Sequence, residues 1–237
     1  RLRPSFDVDE LTAIVEEAHK FGKLTAAHCV STQGIVNSLD ADVDMIIHCI
    51  FKEADGTDEF KEDVAERIGD QGAYVNPTLH VVRSKAWSLQ QKKEEIGLTP
   101  QEQADLDEFS RNYEVVLEHC RRLIAMGLKV ITGSDSSWSD YKLGNTAYET
   151  ECLVAAGMSP MQGVVSVTGD AATALGIDDV TGTLEEGKEA DIIALDGDPT
   201  EDVSALFNVF EVILAGRRVD RGSAESLAAI RQMPSGS

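Results

Sequence analysis

Short apolar runs alternate with amphipathic segments along most of the chain. Residues 9–21 place Leu11, Ile14, Val15 and Ala18 on one face at helical spacing, and Gly22 follows as a stop. "KLTAAHC" then reads as a short extended run ending at His28 and Cys29, and "VDMIIHC" as a second ending at His48 and Cys49. "GAYVNPTL" is a third, closed by Pro77, and "LKVITGSDSS" a fourth. Helical patterns fall between and after these runs, at about 32–41, 58–70, 145–156 and 160–175, the last opened by Ser159-Pro160. Thr99-Pro100-Gln101-Glu102 is a capping box with proline at the first helical position, and it opens a long helix that stops at Gly127. Strand and helix alternating four times predict an α/β chain with parallel strands and helical crossovers.

Two stretches break this rhythm. Residues 80–99 are long and polar, and connections of that length are commonly lids. The expectation is a loop over the C-terminal ends of the strands, with Trp87 and Leu89 as its apolar edge. The alternative is a helical extension packed on the outside or on a second copy. From about residue 180 the helices cease, and "TGTLEEGKEADIIALDGDP" and "VFEVILAGRRV" read as strands of a small antiparallel part, with Asp196, Asp198, Pro199, Gly182 and Gly187 shaping turns. The division expected is 1–178, 179–222 and a flexible tail over 223–237.

Composition narrows the function classes. The 237 residues are enough for a core without disulfide staples. Lys+Arg number 21 against 42 Asp+Glu, a net charge of −21, which excludes nucleic acid as a default partner and argues against an anionic membrane surface. This charge reads as a solvated surface; a salt-adapted source is the alternative. No apolar run approaches the ~20 residues of a membrane span. Cys29, Cys49, Cys120 and Cys152 form no CxxC pair, so they read as reduced or incidental thiols, and a cytoplasmic location is the expectation.

Three polar residues close strand candidates at the same relative place: His28, His48 and Asp135. In a parallel sheet or barrel such ends converge on one site. Two imidazoles and a carboxylate suit a divalent metal, and a carboxylate beside an activated water can move its proton to a leaving amine. Taken singly, a strand-end histidine is more often a hydrogen-bonded core residue; three such residues at equivalent ends even the balance. His80 and Arg83 follow the third run and Trp138 and Tyr141 the fourth, where they are candidates for substrate contact or plain loop residues. His19 and His119 fall within helices and read as surface or packing residues. Cys29 and Cys49 point away from the histidines they follow and read as packing residues.

The ordered succession "ELTAIVEEAHKFGKLTAAHC", "VDMIIHC", "GAYVNPTL", "GLKVITGSDSS", "ETECLVAAGMSPMQGVVSVTGDAATALG" and "GTLEEGKEADIIALDGDP" resembles the amidohydrolase superfamily, nearest its imidazolonepropionase-like and Xaa-Pro dipeptidase-like branch, from about residue 8 to 220. The resemblance implies a (β/α)8 TIM barrel with a metal centre at its C-terminal mouth and a small β-sandwich. It implies metal-binding roles for His28 on strand five and His48 on strand six, and for Asp135 of strand eight both a metal-binding and a general-base role. One or two divalent ions, zinc foremost, are the implied cofactor, and a small-molecule or peptide-like amide the implied substrate. Departures are Ile47 and Cys49 around His48, Ser134 for the family's threonine and Ser136-Ser137 for its Ala-Gly. The family's His-x-His pair and strand-four lysine have no counterpart, so the chain is expected to be the C-terminal half, strands five to eight. Half a barrel leaves open edges and an uncovered inner face. The expected partner is therefore the missing N-terminal half or another copy of the chain, with a homo-oligomer as one outcome; without it the chain is a non-catalytic scaffold that binds metal weakly.

Overall fold

A computed structural model describes residues 3–136 and 146–221. Chain order begins α1 (Val8–Lys20), β1 (Ala26–His28), α2 (Thr32–Asp40), β2 (Met45–Ile47), α3 (Glu62–Gln71), β3 (Tyr74–Asn76), α4 (Leu79–Glu95) and α5 (Pro100–Ala125). It continues with α6 (Ala147–Ala155), α7 (Pro160–Val167), α8 (Gly169–Ala174), β4 (Ile192–Leu195), a 3-10 turn over Val203–Phe207, β5 (Val209–Leu214) and β6 (Arg217–Arg218).

Local sequence sets the helix starts. Asp7 and Glu10, Thr99 and Glu102, and Ser159 and Gln162 each form a reciprocal capping box at the head of α1, α5 and α7. The helix expected over 160–175 is two helices, because Thr168 leaves helical geometry at φ −123° and ψ −95°. The helix expected from residue 58 begins at Glu62, since Asp58 is held in an antiparallel bridge to Lys52.

The first three strands pair in parallel in the order β1-β2-β3, with Ala27 opposite Ile46 and Ile46 opposite Val75. The fourth run is a single parallel bridge, Val75 to Val130, rather than a strand. Val75 N–H donates to Lys129 and Ile131 N–H to Val75, and the next rung would need an amide hydrogen from residue 77, which is proline.

Period-two alternation divides this sheet into two faces. Ile46, Val75 and Val130 lie in the main core, with Ala27 packed against it, together with Val15 of α1, Ile35 and Leu39 of α2, Ile68 of α3 and Leu123 of α5. The opposite face carries Met45, Ile131, Ile47 and Tyr74 around Ala174 of α8. His28 stands in register with Ile47, and Ile47 with Asn76, on that second face. Cys29 and Cys49 are buried in the main core; alternation with His28 accounts for Cys29, whereas His48 and Cys49 follow β2 with left-handed backbone, and all four cysteines are free thiols.

The stretch expected as a lid over 80–99 is instead a 17-residue helix, α4, packed on α5 and α6. Lys92 pairs with Glu102, and the Lys85 ammonium lies 5.3 Å from the Phe109 ring, so polar side chains stitch α4 to α5. The β4-β5-β6 sheet is antiparallel, as the change of texture near residue 180 predicts. Gly182 is required there: at φ +95° a β-carbon would stand 2.4 Å from Ala172. Among the described residues no helix is long and apolar enough to cross a membrane.

Candidate active site

His28, His48 and Asp135 lie at the C-terminal ends of adjacent parallel segments, and the structure brings them into one neighbourhood. The rings of His28 and His48 meet edge to face with centroids 4.5 Å apart. His48 Nε2 lies 3.9 Å from Asp135 Oδ2, with the His48 side chain 12% exposed and that of Asp135 48%. The ladder carries the first two into place: the Cys29 amide donates to the Ile47 carbonyl, and the His48 amide donates to the Asn76 carbonyl at 2.8 Å.

Backbone strain marks the same end of the sheet. Six described non-glycine residues have positive φ: Asp42, His48, Cys49, Thr78, Asp135 and Ala215. His48 directly follows β2, Cys49 comes next, Thr78 lies two residues beyond β3, and Asp135 lies five residues beyond the Val130 bridge. Left-handed geometry costs such residues about 1–3 kcal/mol each, and it persists where surrounding structure imposes it. At His48 it turns the chain sharply out of β2.

Second contacts hold the ring of His48. Its Nδ1 lies 2.6 Å from Thr78 Oγ1, which leaves Nε2 facing Asp135. Burial, then the neighbouring His28, lowers the His48 pKa, against the pull of Asp135. Asn76 completes the floor, packed so closely under Gly133 that a β-carbon there would fall 2.0 Å from its Nδ2. Among the described residues, buried Asn76 Oδ1 has no hydrogen-bond partner.

The donor types suit a divalent cation. An ion about 2.0–2.1 Å from each of two donors spans at most about 4 Å between them, and the 3.9 Å from His48 Nε2 to Asp135 Oδ2 falls within that span. Among the described residues no three His, Cys, Asp or Glu side chains are gathered into a closed metal-binding group. His28 is exposed on the second face of the sheet.

The other candidates divide differently. His80 is fully buried rather than presented to a pocket, stacked on Tyr148 with centroids 4.8 Å apart. Burial, then the charge of Arg83, pushes its pKa down to about 3. Arg83 donates from Nε to His80 Nδ1, pairs through Nη1 with Glu151 at 2.8 Å and lies over Trp87 at 4.2 Å. Both belong to the packing between α4 and α6. Trp138 and Tyr141 lie outside the described residues. His19 pairs with Asp44 at 2.9 Å, and His119 is buried against Phe51 and Phe60.

Two residues escaped the sequence reading, Thr78 and Glu149. Thr78 sits within "GAYVNPTL", yet nothing local says that its hydroxyl turns back to β2. Glu149 is fully buried and accepts hydrogen bonds from the Leu79 and His80 amides. Burial raises its pKa to about 7 despite those two amides. Its signal was available: Glu149 shares a helical face with Cys152 and Leu153, an acid on an apolar stripe.

Comparison with known proteins gives the family. The amidohydrolase family model matches residues 1–219. Ochratoxinase from Aspergillus niger is 27% identical over 203 residues, covering 85% of this chain and 38% of that protein. The crystal structure of a Xaa-Pro dipeptidase with methionine bound in its active site superposes with a TM-score of 0.73 at 27% identity, over 92% of this chain and 50% of that one. That of a putative prolidase from Bifidobacterium longum does so with a TM-score of 0.73 at 28% identity, over 95% and 54%. The chain thus spans about half the length of these relatives, or less. It belongs to the amidohydrolase family.

Proposed function

We propose that the protein carrying this chain hydrolyses an amide or peptide-like C–N bond, and that His28, His48 and Asp135 hold a divalent metal, zinc foremost, for that reaction. The observation that carries this reading is that His48 touches the ring of His28 on one side and approaches the Asp135 carboxylate on the other, beyond the ends of parallel segments in an amidohydrolase chain. The relatives named as dipeptidase, prolidase and ochratoxinase favour a dipeptide or N-acyl amino acid as substrate; a cyclic amide fits the same chemistry.

The bound ion would supply Lewis-acid polarisation of the carbonyl and a lowered pKa for water. The chain's own residues do the rest. His28 and His48 present ring nitrogens on one side, His48 steadied by Thr78. Asp135 takes the proton from the attacking water and passes it to the leaving nitrogen as the C–N bond breaks. Its 48% exposure leaves it open to substrate and water. Trp138, which follows Asp135 in sequence, is the proposed substrate contact. In this reading the α/β part is the C-terminal portion of a TIM barrel, strands five to eight, and residues 179–222 contribute to a composite sandwich.

The test uses the protein that carries the chain. Zinc content and hydrolysis of a panel of Xaa-Pro dipeptides and N-acyl amino acids are measured for wild type and Asp135→Asn. Asparagine tolerates the left-handed φ of 44°, so this variant removes charge without adding backbone strain. Turnover should fall about 10²- to 10⁴-fold; undiminished turnover sinks the role of Asp135.

A second reading is favoured by the exposed position of His28. In it the chain by itself is a non-catalytic scaffold that becomes a site only with a further segment or a second copy. Robust zinc- or manganese-dependent hydrolysis by the purified 237-residue chain, abolished by His28→Ala, excludes it.

A further inference from the structure

The N-terminus of α4 is capped by a division of labour. Thr78 occupies the N-cap position, where a threonine hydroxyl ordinarily accepts from an amide in the first helical turn. The Thr78 side chain makes no such bond. Its Oγ1 lies instead 2.6 Å from His48 Nδ1. Its backbone is left-handed at φ 50° and ψ 44°, which is unfavourable for a β-branched residue and carries the hydroxyl away from its own helix. The amides left over are not orphaned. Leu79 N–H donates to Glu149 Oε1 at 2.7 Å and His80 N–H to Glu149 Oε2 at 2.6 Å. Glu149 arrives from α6 and is fully buried. An ordinary cap would take the His80 or Val81 amide with the Thr78 hydroxyl itself; here Glu149 takes the His80 amide, and the Leu79 amide with it.

We propose that Glu149 is a positioning residue for His48: by capping α4 in place of Thr78, it frees the Thr78 hydroxyl to accept from Nδ1–H of His48, so that the Nε2 lone pair faces Asp135. Without the Glu149 carboxylate, two buried amides lose their acceptor. Thr78 then relaxes to the extended N-cap form, and its hydroxyl returns to the helix. A fixed tautomer is what a histidine needs to present one chosen nitrogen, and the partner of the other nitrogen sets it. Only the catalytic consequence rests on the proposed function; the tautomer is a property of the chain itself.

Long-range proton–nitrogen correlation spectra resolve the ring state of each of the five histidines, with His48 assigned by its disappearance in His48→Asn. Wild type and Thr78→Ser should show the Nδ1–H form at His48. In Thr78→Val and Glu149→Gln the ratio of Nδ1–H to Nε2–H should fall about fivefold, as expected for loss of one hydrogen bond. The double variant should fall no further than Thr78→Val alone, since both changes act through one hydroxyl. Glu149→Asp, which withdraws the carboxylate by one methylene, serves where Glu149→Gln does not fold. The proposal is overturned by an Nε2–H ring in wild type, or by a folded Glu149 variant that keeps the wild-type ratio. If the ratio shifts as expected while hydrolysis is untouched, the catalytic reading of His48 fails and the positioning role stands.

Discussion

The rings of His28 and His48 touch edge to face at 4.5 Å although they end different strands, and the contact follows from the β1–β2 register that sets His28 opposite Ile47. One residue beyond the register, the left-handed turn at His48 brings its ring alongside that of His28. Two imidazoles so placed would share one cation. His28→Ala and His48→Ala should each weaken zinc binding by at least the ~10- to 100-fold that loss of an outer-shell partner costs. Isothermal titration with zinc checks this, and an affinity unchanged from wild type in both variants would place the metal elsewhere.

Arg83 is expected to matter for stability. Its side chain is 11% exposed and its partner Glu151 27%. Removing one member of a largely buried pair strands the other charge. Arg83→Ala should therefore cost about 3 kcal/mol in urea unfolding, and Arg83→Met with Glu151→Leu should recover most of it. An Arg83→Ala variant of wild-type stability with impaired substrate binding would return Arg83 to the site.

Glu149 should make stability depend on pH. Its carboxyl pKa is about 7 in the folded chain against 4.5 ordinarily, with burial the main cause. The folded state thus holds the proton more tightly. Its contribution is fully present below pH 4.5 and is lost as pH rises through about 7. His80, held down to about 3 from 6.5, acts oppositely: its contribution is present above pH 6.5 and is lost as pH falls through about 3. Comparing wild type with Glu149→Gln isolates the first effect. Between pH 4.5 and about pH 8 the stability difference should swing toward the variant by about 3 kcal/mol, read from urea midpoints. A pH-independent difference would show that the two amides keep Glu149 ionised throughout.

Gly133 should admit no side chain. A β-carbon there falls 2.0 Å from Asn76 Nδ2 and 2.6 Å from its Cγ. Asn76 also accepts the His48 amide through its carbonyl, so displacing it disturbs the anchor of His48. Gly133→Ala should lower stability by about 1–3 kcal/mol and weaken zinc binding with it. Thermal unfolding and zinc titration of one sample measure both.

Much of the scaffold was legible because its signals are short-range. The capping boxes at Asp7, Thr99 and Ser159 lie within one helical turn of what they cap. The period-two runs at Ala26–His28, Met45–Ile47 and Tyr74–Asn76 carry their facing in adjacent residues. Helix α4 was legible only as the alternative to a loop over the strand ends. Its buried residues are Leu79, His80, Val81 and Ser84, and this mixture of polar and apolar positions hides a helical face inside what reads as a polar connection. The fourth strand failed for another reason: its pairing with β3 stops at Pro77, which has no amide hydrogen for the next rung, and which residue of the fourth run would face Pro77 is set only by the pairing register.

The same distinction runs through the site. Residue types and their places at strand ends made His28, His48 and Asp135 candidates, because parallel strands with helical crossovers bring those ends to one side of a sheet, and the family resemblance supplied their expected roles. Which nitrogen of His48 faces Asp135, how Thr78 comes to serve a neighbouring strand, and why an acid 70 residues from Leu79 caps α4 were settled by the packing of α4 against α6. Caps and periodicities are written in neighbouring residues; hydrogen bonds across such sequence distances exist only once the chain has closed around them.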